Sequence, residues 1–169
     1  MGSDPNSGQP CFRTSQRCTK LSSDPNSLTA AAGRTADKVV LDTNIVLDLF
    51  VFKDPATMPL RQLIEAKAIR WIATPAMRGE LERVLSYPHI TPRLMFHQIT
   101  PSAVLAQFDH LAQIETTAPR ASTICKDPDD QRFIDLAVFH GAILLSKDSA
   151  VLGMKKRLLA LGVIACSAI

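Results

Sequence analysis

From Lys38 onward the chain alternates short apolar runs with stretches whose apolar residues recur at a helical period, whereas residues 1–37 show no hydrophobic period at all. The alternation is that of βα units, which predicts a parallel sheet. Strands are expected at 38–41, 70–73, 113–116, 142–146 and 163–167. Helices are expected at 44–50, 59–67, 75–86, 91–111 with a break at Pro101, 129–140 and 150–161. Gly141 and Gly162 each fall where a helix stops before a strand, the usual place for a left-handed glycine. Residues 1–37 are rich in Ser, Thr, Pro, Asn and Gly and carry Asp-Pro-Asn-Ser twice, so they read as a disordered tail or an appended segment outside the fold.

Composition narrows this picture only a little. With 169 residues, 46% hydrophobic and 21% charged, the chain supports one compact domain with its own core. A net charge of +3 admits nucleic acid as a partner without arguing for it. Cys11, Cys18, Cys125 and Cys166 form no Cys-x-x-Cys pair and have no histidine at zinc-ligand spacing, which argues against structural zinc. No apolar run reaches the roughly 18 residues of a membrane span, and no signal-peptide pattern opens the chain. The expectation is a soluble cytoplasmic protein that does not engage membranes.

The acids carry more. In an open parallel sheet, ligands bind beyond the carboxyl ends of the strands, and Asp42 and Asp148 both fall just past such ends. Each has a plain structural reading as a turn or cap residue. In "TPAMRGELERVL", Met77, Leu81, Val84 and Leu85 form one apolar face with Glu80 at its edge, while Glu82 points further around toward solvent. In "KDPDDQRFIDLAVFHG", Asp127 can cap a helix whose first residue is Pro128, and Asp129 and Asp130 can complement the helix dipole. On the helical wheel, however, Asp130 shares its stripe with Ile134, Ala137 and Val138, which aims it at the sheet rim, and Asp129 points elsewhere. Four acids arriving from four βα junctions call for a common cause. A hard divalent cation, Mg²⁺ or Mn²⁺, takes a few carboxylates and leaves positions for water and phosphate oxygens. Hydrolysis of a phosphodiester is the chemistry that follows.

The segments "VVLDTNIVLDLF", "TPAMRGELERVLSYP" and "DPDDQRFIDLAVFHGAILLSKDSAVL", in that order, resemble the PIN domain, in particular a bacterial group of toxin components of toxin–antitoxin pairs. The likeness covers residues 38–169. It implies a three-layer α/β/α sandwich on a mostly parallel sheet of about five strands, and a metal-dependent ribonuclease acting on single-stranded RNA. By position, Asp42, Glu80, Asp130 and Asp148 match the four family acids. Thr43 and Asn44 match the small polar residues that hold the first acid, and Ser146 matches a hydroxyl beside the site. The third position stays open, because Asp127 and Asp129 lie in the same cluster. An antitoxin protein and a second copy of the chain are further partners that the resemblance implies. Residues 1–37 have no counterpart in it, and Lys147 places a cation unusually near Asp148.

RNA contacts need positive charge around the acids, and Arg78, Arg83, Arg132, Lys147 and the run Lys155, Lys156, Arg157 are the candidates, with a solvated helix face as the plain alternative for the run. Trp71 lies in an expected strand and is assigned to the core rather than to base stacking. His89, His97, His110 and His140 show no ligand spacing. The leading expectation is a Mg²⁺ or Mn²⁺ endoribonuclease. Its rival is a catalytically weak PIN-like module that binds RNA or a protein. A phosphatase with an aspartyl nucleophile needs an acid two residues after Asp42, where Asn44 stands.

Overall fold

The computed structural model describes residues 37–168. The tail expected at 1–37 therefore lies outside the described residues except for Asp37. Five short strands form one all-parallel sheet: β1 (Lys38–Leu41), β2 (Arg70–Ala73), β3 (Gln113–Ile114), β4 (Ile143–Leu145) and β5 (Ala165–Cys166), in the order β3-β2-β1-β4-β5. Helices flank it in an α/β/α arrangement. Val39 pairs with Trp71 on one side and Ile143 on the other, so β1 is the central strand. A strand with neighbours on both edges and helices over both faces is apolar where it is covered, and after the partly exposed Lys38 the residues Val39, Val40 and Leu41 are buried accordingly.

The helices are α1 (Thr43–Leu47), α2 (Met58–Glu65), α3 (Pro75–Leu85), α4 (Thr91–Phe96), α5 (Pro101–Leu111), α6 (Gln131–His140), α7 (Ser149–Leu152) and α8 (Lys155–Ala160). Their apolar stripes fill the core around Trp71, which stacks on Phe50 and meets Phe108 edge-on, with ring centroids 6.1 and 4.8 Å apart. Trp71 is thus a core residue. Among the described residues no helix is long and apolar enough to cross a membrane.

Several boundaries differ from the sequence pattern. The first helix was expected to run to Phe50. It instead widens after Leu47 into a π-helical turn, Asp48–Phe52, ended by Lys53 at φ 50°. Leu49, Phe50 and Val51 in that turn are buried, as Ile45, Val46 and Leu47 are in α1 before it, so the apolar run continues into the core through the change of helix type. The segment 91–111 is two helices. Gln98 takes φ 54° and Thr100 caps α5 through the amide of Ala103, so Pro101 starts a helix rather than kinking one. The last helical stretch is likewise split, at Gly153 and Met154. Strands β3, β4 and β5 are shorter than expected, since pairing stops where the partner strand stops.

Candidate active site

All strands point the same way, so their carboxyl ends define one rim, and the order of the sheet reverses direction between β1 and β4. Asp42 follows β1 directly, and its amide donates to Leu145 O at 2.9 Å, extending the pairing of β1 with β4 by one bond. Ser146 follows β4 and is fully buried. Its hydroxyl donates to Asp42 Oδ2 at 2.7 Å and accepts from the amide of Asp148 at 3.0 Å. One side chain thereby fixes two acids on either side of the switch point. Asp148 also caps α7, with Oδ1 accepting from Ala150 N at 2.6 Å. The cap reading and the rim position hold together.

Glu80 comes from α3, which Thr74 caps at the end of β2. One turn into that helix, Glu80 is drawn inward by Thr43, whose hydroxyl donates to Oε1 at 3.2 Å, and its side chain is 11% exposed. The side chain of Thr43 therefore serves the second acid. Toward Asp42 it contributes its backbone amide, as does Asn44, whose side chain is exposed. Glu82 is left in solvent at 65% exposure.

The helix bearing Asp130 starts later than expected. Asp127 Oδ1 accepts from the amide of Asp129 at 2.9 Å and a turn through Pro128 follows, so α6 begins at Gln131 with Asp130 in the cap position. Helix α6 packs on β1 and β4 and runs back toward the start of β4, which leaves its first turn at the rim. Asp130 Oδ2 is buried without a hydrogen-bond partner, whereas the Asp129 side chain is 69% exposed. The segment leading to α6 is latched by Gln131, a buried amide that sequence reasoning passed over. Its Oε1 accepts from Cys125 N at 2.7 Å, and its Nε2 donates to Thr123 O at 3.1 Å and to Asp135 Oδ1 at 2.6 Å. An amide following four residues of turn chemistry was the available signal.

The carboxyls sense one another. Burial pushes the pKa of Asp42 up against the opposing pull of the Ser146 hydroxyl, and burial likewise raises Glu80 although Arg132 holds it down. Asp130 is raised to about 7, first by burial and then by the charges of Asp42, Asp148, Asp127 and Glu80. The four expected acids thus share one electrostatic site. Among the described residues, no three His, Cys, Asp or Glu side chains are drawn together as a ready metal-ligand set.

The basic residues divide. Arg78 makes a two-pronged ion pair with Asp109 at 2.6 and 2.8 Å, tying α3 to α5. The Lys147 ammonium turns away from Asp148 to Asp48 at 2.6 Å and Asp54 at 3.3 Å. Among the described residues, Arg132 is the one base that reaches the rim acids, with Nη1 3.1 Å from Glu80 Oε2. That approach is an ion pair lying off the hydrogen-bond direction, so Glu80 Oε2 has no directed donor. Arg83, Lys156 and Arg157 are exposed, and Lys155 is partly covered. Asp48 was not singled out from the sequence. It lies six residues beyond Asp42, at the start of the π-helical turn, where it meets Lys147.

No curated protein matches the chain. The PIN domain does, over residues 38–150, an interval holding all four rim acids, and the chain accordingly belongs to the PIN domain family.

Proposed function

We propose that the protein is a Mg²⁺- or Mn²⁺-dependent endoribonuclease that hydrolyses phosphodiester bonds of single-stranded RNA, acting in the cytoplasm as the toxin of a toxin–antitoxin pair. PIN domains are in general nucleases and typically use divalent metals. The single observation that carries the metal reading is Asp130, a carboxyl with a buried unpartnered oxygen, raised to about 7 among three other acids. Such a cluster is costly without a cation and fits a hard divalent ion, for which all the donors are oxygens. Asp42, Glu80, Asp130 and Asp148 would hold it. When bound, it supplies charge neutralisation at the phosphate and activation of water near neutral pH.

The rest falls to the chain's own groups. Ser146 aims Asp42 and holds the backbone of Asp148, Thr43 aims Glu80, and Gln131 fixes the strap that presents Asp130. Arg132 is the cation best placed for an RNA phosphate; Arg78 and Lys147 are engaged in ion pairs within the chain. The toxin role, the antitoxin and a homodimer rest on resemblance, and a small antitoxin-like reading frame beside this gene would support them. The activity is tested by Asp42→Asn, which keeps size and removes charge. Cleavage of single-stranded RNA in Mn²⁺ should fall by about 100-fold or more. Undiminished cleavage would sink the assignment.

A second reading, a binding module of weak activity, is favoured by the absence of a ready three-ligand set among the described residues. Calorimetry with Mn²⁺ separates the two, because no binding at millimolar metal supports the module.

A further inference from the structure

Arg132 is the second residue of α6 and is held at two points. Its Nε donates to Asp129 O at 3.0 Å and its Nη2 to Asp129 Oδ1 at 3.1 Å, which tethers the guanidinium to the exposed side of the turn. Its other prong, Nη1, stands 3.1 Å from Glu80 Oε2. On Glu80 the two oxygens are divided: Oε1 accepts from Thr43, and Oε2 is buried with the guanidinium as its counter-ion. A divalent cation using Oε2 would come close to the positive guanidinium, whose Nη1 is 3.1 Å from that oxygen. An arginine cannot relieve the repulsion by losing its proton, so moving away is the relief open to it.

The tether makes that movement small. Asp129 contributes both a backbone and a side-chain oxygen, and neither involves Glu80, so the side chain can let go of one carboxylate and keep the other. We infer that Arg132 is an internal counter-ion of Glu80 that competes with the divalent cation for Oε2 and yields to it while staying tethered to Asp129. This deepens the metal reading above and rests on it. Metal loading and release of the guanidinium are then two sides of one equilibrium. The freed prong is left beside the acids, where an RNA phosphate would meet it.

The experiment is a calorimetric titration of Mn²⁺ into four full-length proteins: wild type, Arg132→Gln, Arg78→Gln and Asp42→Asn. Arg78→Gln removes the same charge two residues from Glu80 without touching its oxygens, and so measures the through-space effect. Arg132→Gln should bind Mn²⁺ about three- to tenfold tighter than wild type, and Arg78→Gln should change it by less than about twofold. A gain no larger than that of Arg78→Gln, or a weaker affinity, overturns the inference. The metal reading survives that outcome if Asp42→Asn loses binding, and fails by itself if Asp42→Asn binds like wild type. In the wild-type protein, the side-chain Nε–H resonance of Arg132 should shift during a Mg²⁺ titration with the same midpoint as the amides of the rim acids. An unmoved resonance beside shifting acid amides also overturns it.

Discussion

The hydroxyl of Ser146 spends its one proton on Asp42 and offers a lone pair to the amide of Asp148, so a single oxygen sets the spacing of two acids. Ser146→Ala strands Asp42 Oδ2 in a buried place and should cost about 1–3 kcal/mol in a urea melt. It should also raise Asp42 further, since the hydroxyl is the strongest influence holding that carboxyl down. Activity below neutral pH should then suffer more than activity above it, which a pH–rate profile checks. Single residues differ in how well the sequence announced them. Asp42 and Asp148 follow strands whose apolar runs are unmistakable, and their place at the rim was legible, whereas Ser146 read as the end of a strand and its place beside the site came from the family resemblance. Glu80 and Asp130 followed from helical phase. The division of labour was not legible: Thr43 is adjacent to Asp42 in the chain yet gives its hydroxyl to Glu80, a choice made by tertiary approach. Lys147 is next to Asp148 and reaches Asp48 for the same reason.

Elements were read more securely than their ends. Gly141 takes φ 61° after α6, and a methyl group there would meet nothing within 4 Å. Gly141→Ala therefore carries only the backbone cost of a left-handed alanine, about 1 kcal/mol, measurable as a lower urea midpoint. Loss well beyond that would show that the turn has a further packing role. Both predicted glycine stops are left-handed in the fold, because a helix that must reverse into a strand leaves few other ways to satisfy its last carbonyls. Helix starts were less legible. The acids of Asp127 to Asp130 suit a cap and a first turn equally well, and only the Asp127 contact to Asp129 N moves the start to Gln131. The π-helical turn at Asp48–Phe52 was not legible either, because Leu49, Phe50 and Val51 read in sequence like Ile45, Val46 and Leu47 of the α-helix before them.

At the scale of the whole molecule, the rim makes stability depend on pH in a particular sense. A carboxyl whose pKa is higher folded than unfolded contributes stability at low pH and loses it as pH rises through its folded value. For Asp130 that loss runs from near its ordinary 3.8 to about 7, and Asp42 and Glu80 act in the same direction. Asp54 and Asp109 are held low and finish titrating beneath this window, while His140, held low by burial and Lys38, opposes the trend. Without metal, the protein should melt about 3–6 °C higher near pH 5.5 than near pH 8, and Asp130→Asn should flatten most of that difference. On the proposed metal reading, saturating Mn²⁺ should reverse the slope, because protons and metal would then compete for the same oxygens. Thermal melts at the two pH values, with and without Mn²⁺, read all of this. The sheet order has a practical consequence as well. Central strand β1 rises from Lys38 to the rim, so the chain arrives at Asp37 on the pole opposite the acids. A surface linkage engineered just ahead of Asp37 would present the acids outward to solution, and immobilised protein should keep the turnover of the free form.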